Sequence, residues 1–184
     1  MSSVRLSFQA TLTGVVFVAG VGTLATEIAA SRLLAPYFGN STIVWANVIG
    51  LTLASLAVGY WLGGRLADRY PTPRALGLIV AAAACLVAVA TLLARPILDF
   101  SVEGLDRVSA GAAIGSFFGV LILFVPPVTL MGMVAPFAIR LAIQDVESAG
   151  TVSGRLYAVS TIGSLLGTSI AALVAIPAIG TQRT

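Results

Sequence analysis

The chain contains long runs of residues without a single charged side chain. Two of these runs cover residues 43–62 and 75–94, and a third covers residues 110–139. About twenty apolar residues in an α-helix cross the roughly 30 Å hydrocarbon core of a membrane. Only 9% of the 184 residues are charged, against about 25% in a typical soluble domain. The sequence therefore predicts an all-α, polytopic membrane protein.

Glycines, prolines and arginines divide the apolar runs into about five transmembrane helices within one domain, residues 1–184. The first helix is expected to be a retained span rather than a cleaved signal, because its apolar stretch continues past Glu27. Arg95 and Pro96 are expected to end the third helix, and residues 97–109 to form a short interfacial helix. A loop is expected over residues 144–155. The predicted helices are at about residues 11–34, 43–67, 75–94, 110–142 and 156–176.

The distribution of arginine predicts the orientation of these helices. All ten basic residues are arginine, and the net charge is +3. They lie singly at helix ends and in loops, which is typical of topology signals and not of nucleic-acid binding. With the N-terminus in the cytoplasm, six arginines fall on the inner side and four on the outer side. We therefore expect an inner-membrane protein with a cytoplasmic N-terminus.

Glu27 is the one acidic residue placed deep within a predicted span. An ionised carboxylate is costly at membrane depth, so such a residue is a candidate functional site. A hairpin of the first two helices would bring Glu27 near Asn47 or Thr52, and Arg32 is the nearest basic partner along the chain. The candidate ligand-binding set is thus Glu27, Arg32, Asn47 and Thr52. In the alternative interpretation, Glu27 bonds a neighbouring helix for packing alone and Arg32 extends to the interface.

Three prolines mark the fourth helix as irregular. Pro126 and Pro127 interrupt its uncharged run, and Pro136 follows. We interpret the run as one long helix kinked at these prolines. The alternative is a broken helix, in which freed carbonyl groups near Val125 bind a cation.

The residue types needed for metal binding or catalysis are scarce. The chain has no histidine and one cysteine, Cys85, within an apolar helix. A zinc or copper site is therefore not expected, and no cofactor is predicted. No serine–histidine, cysteine–histidine or paired-carboxylate arrangement indicates an enzyme.

Two sets of residues resemble known families. The loop with Gly64, Asp68, Arg69 and Arg74 resembles the cytoplasmic clamp between the second and third helices of the major facilitator superfamily. More specifically, nearly the whole chain resembles the membrane part of bacterial spermidine synthase-like proteins, which are fusions of a facilitator-like and a spermidine synthase domain. The stretches that carry this resemblance are residues 27–45, 59–71, 131–141 and 154–168.

This resemblance implies a major-facilitator half-unit fold. The aminopropyltransferase domain that follows the membrane helices in that family has no counterpart in these residues, so its activity is not expected. The first functional hypothesis is a transport-like or ligand-binding half-unit, for polyamine-type cations. The alternative is a non-catalytic membrane subunit or scaffold that binds a partner protein. The expected partners are the lipid bilayer and either a second copy of the chain or a separate protein.

Overall fold

The computed structural model describes residues 2–105, 111–143 and 145–184, and all regular secondary structure in these ranges is helical. The prediction of an all-α fold is therefore confirmed. Five helical segments are long and apolar enough to cross a membrane. A π-helical turn, Ala171–Ala175, joins the last two α-helices. The α-helices are α1 (Ser2–Phe38), α2 (Thr42–Arg69), α3 (Pro73–Leu105), α4 (Gly111–Leu123), α5 (Val125–Ala142), α6 (Ala149–Ile170) and α7 (Ile176–Ile179).

Helices α4 and α5 form one span with a local break at Phe124. Helical hydrogen bonds continue on both sides of the break, because the Phe124 N–H donates to the Val120 carbonyl (2.9 Å) and the Val128 N–H donates to the Phe124 carbonyl (3.0 Å). This is the long, interrupted helix that the sequence predicts, although its expected first residue, Ala110, lies outside the described residues. The span is central to the bundle, since α1, α2, α3 and α6 all contact it.

Helices α2 and α5 run parallel and pack backbone against backbone. Gly59 lies against Thr129 and Gly132, and Gly63 lies against Met133. A Cβ atom on Gly63 would come within 2.6 Å of the Met133 Cα, far inside van der Waals contact. Residue numbers rise together along both helices, as expected for the second and fourth spans of a chain that crosses a membrane repeatedly.

Helices α1 and α6 form a second parallel pair of the same kind. Gly163 lies against the Phe17 carbonyl, and Gly167 lies against the backbone of Val21. Near one end of this pair, an Arg155 guanidinium N–H donates to the Thr13 hydroxyl (3.3 Å). Small residues at these positions let the backbones approach closely, which maximises dispersion contacts where lipid supplies no hydrophobic drive between helices.

Buried apolar side chains form two separate clusters, one toward each end of the bundle. The first cluster lies at the end of the bundle where α1 begins, which we call the N-terminal end of the bundle. It includes Leu12, Met133, Phe137 and Leu156. The cluster at the far end includes Leu34, Val48, Leu98 and Leu123. Between the clusters, glycines and hydroxyl side chains make the helix contacts. We call the following residues the middle layer: Gly20, Thr23, Gly59, Thr129, Gly132, Ser160 and Ser164.

The predicted end of the third helix is wrong. Helix α3 continues through Arg95 and Pro96 to Leu105, so residues 97–105 are not a separate interfacial helix; residues 106–110 lie outside the described residues. Packing explains the extension, because Leu98 is fully buried and lies against Gly119 of α4. A proline is tolerated within a membrane helix when neighbouring helices hold the segment in place.

Other helices are also longer than predicted. Helix α1 begins at Ser2 and continues past Pro36 to Phe38, where Gly39 follows with a φ of +75°. Helix α6 begins at Ala149, within the segment expected to be a loop; Gln144 of that segment lies outside the described residues. Val152, in the first turn of α6, packs on the cluster at the N-terminal end. Tertiary packing therefore extends helices that glycine and proline would otherwise end.

We expect Gly59→Leu to destabilise the fold by about 1–3 kcal/mol, because a side chain there must push α2 away from the α5 backbone. The measurement is the free energy of unfolding in detergent micelles. Gly50→Leu is the matched control, since the described residues leave the space around Gly50 open. Equal stability of the two variants would contradict the close α2–α5 contact.

Candidate functional site

Asn47 joins α2 to α4. Its side-chain amide donates to the Ala113 carbonyl (2.9 Å) and to the Ser116 hydroxyl (2.8 Å). Ser116 is completely buried, so this is an interior hydrogen bond between two helices. The amide N–H groups of Asn47 thus donate their hydrogen bonds to α4 and do not face Glu27.

The residues of the predicted hairpin site lie on spans that pair mainly with other helices. Helix α1 packs mainly on α6, whereas α2 packs mainly on α5. Thr52 is buried on the α2 stripe that also carries Gly59 and Gly63, which face α5. Arg32 is exposed. Although all four predicted ligand residues are described, no hydrogen bond or ion pair joins any two of them. A shared ligand site for these four residues therefore stays a prediction.

Glu27 instead belongs to a polar stripe along α1. Thr23, Glu27 and Ser31 are spaced four residues apart and so share one face of the helix. Thr23 and Ser31 are buried, with 6% and 8% of their surfaces exposed, while Glu27 is half-buried. The stripe therefore faces the bundle. Sequence reasoning missed Thr23 and Ser31, although the spacing of four around Glu27 was a signal that pointed to them.

A small cavity lies in the middle layer, one helical turn from Glu27. Its volume is about 60 Å³, and α1, α2, α5 and α6 all line it. A turn of four residues covers roughly 6 Å along a helix, which separates Glu27 from Thr23 at the cavity wall. The Ser164 hydroxyl donates to the Gly20 carbonyl (3.3 Å) beside it. The polar groups that line the cavity are the hydroxyls of Thr23, Tyr60, Ser160 and Ser164.

The π-helical turn lies at the level of Glu27. Because Val21 lies against Gly167 in a parallel pair, six residues further along each helix Glu27 comes level with residue 173. That residue is inside the turn Ala171–Ala175, which α1 contacts. The turn closes when the Ile176 N–H donates to the Ala171 carbonyl, and Pro177 follows it. Such widened turns recur at functional sites.

Gly64, Asp68 and Arg69 of the predicted clamp lie in the last turns of α2, and Arg74 lies in the first turn of α3. Among the described residues, one ion pair joins this clamp to α5. Asp68 accepts a hydrogen bond from the Arg140 guanidinium of α5 (3.0 Å). Both side chains are substantially exposed, so the pair contributes at most about 1 kcal/mol. Arg69 lies over its neighbour Tyr70, and Arg74 is exposed. Gly64 has open space around it among the described residues.

The three prolines of the central span have different surroundings. Pro126 and Pro127 begin α5 directly after the break at Phe124, whereas α5 continues without interruption through Pro136. The Val125 carbonyl, named above as a cation ligand, accepts a hydrogen bond from the Thr129 hydroxyl (2.8 Å). In the described part of the chain, no group of three histidine, cysteine, aspartate or glutamate side chains comes together to hold a metal.

Comparison of the chain with protein-family models, with curated proteins and with solved structures found no match. The resemblance to the membrane part of spermidine synthase-like proteins therefore stays a prediction. What the structure defines is a class: the five long apolar segments make this chain a multi-pass α-helical membrane protein.

We expect Asn47→Ala to lower the free energy of unfolding by about 1 kcal/mol, since hydrogen bonds between membrane helices are each worth well under 2 kcal/mol. Asn40→Ala is the matched control, because Asn40 is exposed in the turn before α2. Unfolding in micelles measures both. If the two variants are equally stable, the bond to Ser116 does not hold α2 and α4 together.

Proposed function

We propose that this chain is a transport-like membrane half-unit in which Glu27 binds a small monovalent cation or a proton. The observation that carries the proposal is the position of Glu27 between buried Thr23 and buried Ser31, on the face of α1 that looks into the middle layer. The carboxyl group is thus presented to the bundle at membrane depth, on a face of α1 that also carries two buried hydroxyl groups.

The cost of ionising a carboxylate at membrane depth supports a role beyond packing. No basic side chain among the described residues forms an ion pair with Glu27, since Arg32 is exposed and the one ion pair found joins Arg140 to Asp68. A mobile cation or a bound proton would remove that cost. Exchange of this cation or proton with water is then the elementary step of transport.

The volume of the neighbouring cavity limits the size of the ligand that this cavity can hold. One water molecule needs roughly 10–15 Å³ of cavity volume by this measure. The cavity of about 60 Å³ therefore holds about four to six water molecules or one small cation with part of its hydration shell. An extended polyamine does not fit it. We accordingly propose a small cation in place of the polyamine that the resemblance implies.

The test is cation flux into proteoliposomes that contain the purified chain. With an imposed membrane potential, we expect proton or sodium uptake by the wild-type protein and loss of uptake in Glu27→Gln, which keeps the side-chain volume but removes the charge. Glu147→Gln is the matched control, because Glu147 is an exposed acid in the turn before α6.

Two results would overturn the proposal. The first is uptake by Glu27→Gln at the wild-type rate. The second is no uptake by the wild-type protein above that of empty liposomes. Loss of uptake in Glu147→Gln as well would show that removal of any acidic side chain impairs the protein. The loss in Glu27→Gln would then not identify Glu27 as the cation-binding residue.

A second candidate function is a membrane subunit or scaffold that binds a partner protein. Three outward-facing glycines, Gly50, Gly64 and Gly77, have open space around them within the described part of the bundle. Glycine inside a helix costs roughly 0.5–1 kcal/mol relative to alanine, and no packing within this chain offsets that cost. A helix from a second copy or another protein would use these positions. Native mass spectrometry of gently extracted protein distinguishes such a complex from a monomer.

We also propose that the N-terminal end of the bundle faces the cytoplasm of an inner membrane. Of the eight arginines whose side chains the structure describes, five lie at that end, namely Arg65, Arg69, Arg74, Arg140 and Arg155, and three at the far end, Arg32, Arg95 and Arg183. An excess of arginine in short loops marks the cytoplasmic side.

Cysteine labelling tests this orientation. In a Cys85→Ala background, we expect a membrane-impermeant maleimide applied to intact cells to label Asn40→Cys and to leave Asp145→Cys unlabelled until the cells are permeabilised. Both positions are exposed, at opposite ends of the bundle. Labelling of Asp145→Cys alone in intact cells would mean that the orientation is reversed.

A further inference from the structure

A long groove runs between α1 and α3 on the side of the bundle. Its upper section is a cavity of about 460 Å³, bounded by Thr26 and Leu33 of α1 and by Thr91 of α3. Its lower section is a cavity of about 430 Å³ along Gly14 and Gly22 of α1. Ala84 lines both sections, so they are continuous, and the central span forms the floor of each.

The two sections differ in chemistry. The lower section is lined almost entirely by small and apolar side chains, including Gly14, Gly22 and Ala83. The upper section also carries polar groups, contributed by Thr26, Thr91 and the segment that follows α7. The groove is therefore amphipathic along its length, with its polar part toward the far end of the bundle.

The backbone conformation at Gly180 positions Arg183, the positively charged residue of the upper section. Gly180 has a φ of +82°, a conformation that residues with a Cβ atom rarely adopt. The chain turns there, and residues 181–184 line the upper cavity. Arg183 is exposed and lines the cavity. Arg183 is also the only charged side chain among the described residues that line either section. It forms no ion pair with a described acid.

We propose that this groove binds one anionic phospholipid, with the phosphate group at Arg183 and an acyl chain along Gly22 and Ala84. Charge complementarity identifies the occupant, because Arg183 lies beside a trough that has no acidic side chain among its described lining residues. Arginine binds phosphate through paired N–H donors. The threonine hydroxyls of the upper section would meet the glycerol and ester region. This inference is independent of the role proposed for Glu27.

The test uses the full chain in nanodiscs made of phosphatidylcholine with a minor fraction of phosphatidylglycerol, followed by native mass spectrometry of the released protein. We expect the wild type to retain one phosphatidylglycerol per chain. Arg183→Gln should reduce this occupancy about fivefold, the effect of one basic group near a charged membrane surface. Arg32→Gln is the matched control, since Arg32 is an exposed arginine at the same end but does not line the groove.

Ala84→Leu provides a second, independent variant, because it fills the trough and leaves every charge in place. We expect it to lose phosphatidylglycerol while it remains monodisperse. Gly180→Ala should also lower the occupancy, because it disfavours the turn that positions Arg183.

Several outcomes would overturn the proposal. These are equal occupancy in Arg183→Gln and wild type, equal retention of phosphatidylcholine and phosphatidylglycerol, or no retained lipid in the wild type. A crosslink from Ala84→Cys to a second chain or to another protein would likewise replace the lipid with a partner helix.

Discussion

The backbone contact between the central span and α2 is the constraint on which the rest of the bundle depends. At Gly59 and Gly63, the α5 backbone lies so close to α2 that side chains at these positions would clash with it. This contact fixes the rotation of α2, which in turn directs Asn47 at α4 and Asp68 at Arg140. It also leaves α1 to pair with α6, where Gly163 and Gly167 again allow close contact between two helix backbones. Two parallel pairs then share one central span.

In this arrangement, the apolar clusters that stabilise the bundle and its polar groups lie in different layers. Apolar side chains are concentrated in the two clusters, toward the two ends of the bundle. The middle layer between them consists of glycines and hydroxyl groups, which pack closely and tolerate polar neighbours. Hydroxyls such as that of Thr23 bond to their own helix, here to the Ala19 carbonyl, so they cost little when no ligand is present. An acid on this face of α1 can therefore lie next to the middle layer without disrupting either cluster.

The sequence was sufficient to predict the helices but not their partners. Uncharged runs of membrane length predict α-helical spans with few alternatives, and the fourth span was predicted as one interrupted helix. The end of α3 was mispredicted because Pro96 disfavours a helix locally, whereas burial of Leu98 against Gly119 outweighs that preference. Asn47 was expected beside Glu27, whereas its amide donates to α4, because spans adjacent in sequence need not be each other's main packing partners. The stripe of Thr23, Glu27 and Ser31 was visible as a spacing of four, yet its direction depends on where α6 packs.

The two proposed sites place their charges in different surroundings for a physical reason. Glu27 is half-buried on the interior face of α1, one helical turn from a cavity of about 60 Å³. Arg183 is exposed at the mouth of a groove with a volume several times larger, where a bulky anion meets no steric barrier. A half-buried carboxylate at membrane depth is costly to ionise, whereas an exposed guanidinium can draw a counter-ion from the membrane surface. The same bundle therefore presents an acid to its interior and a base to the lipid.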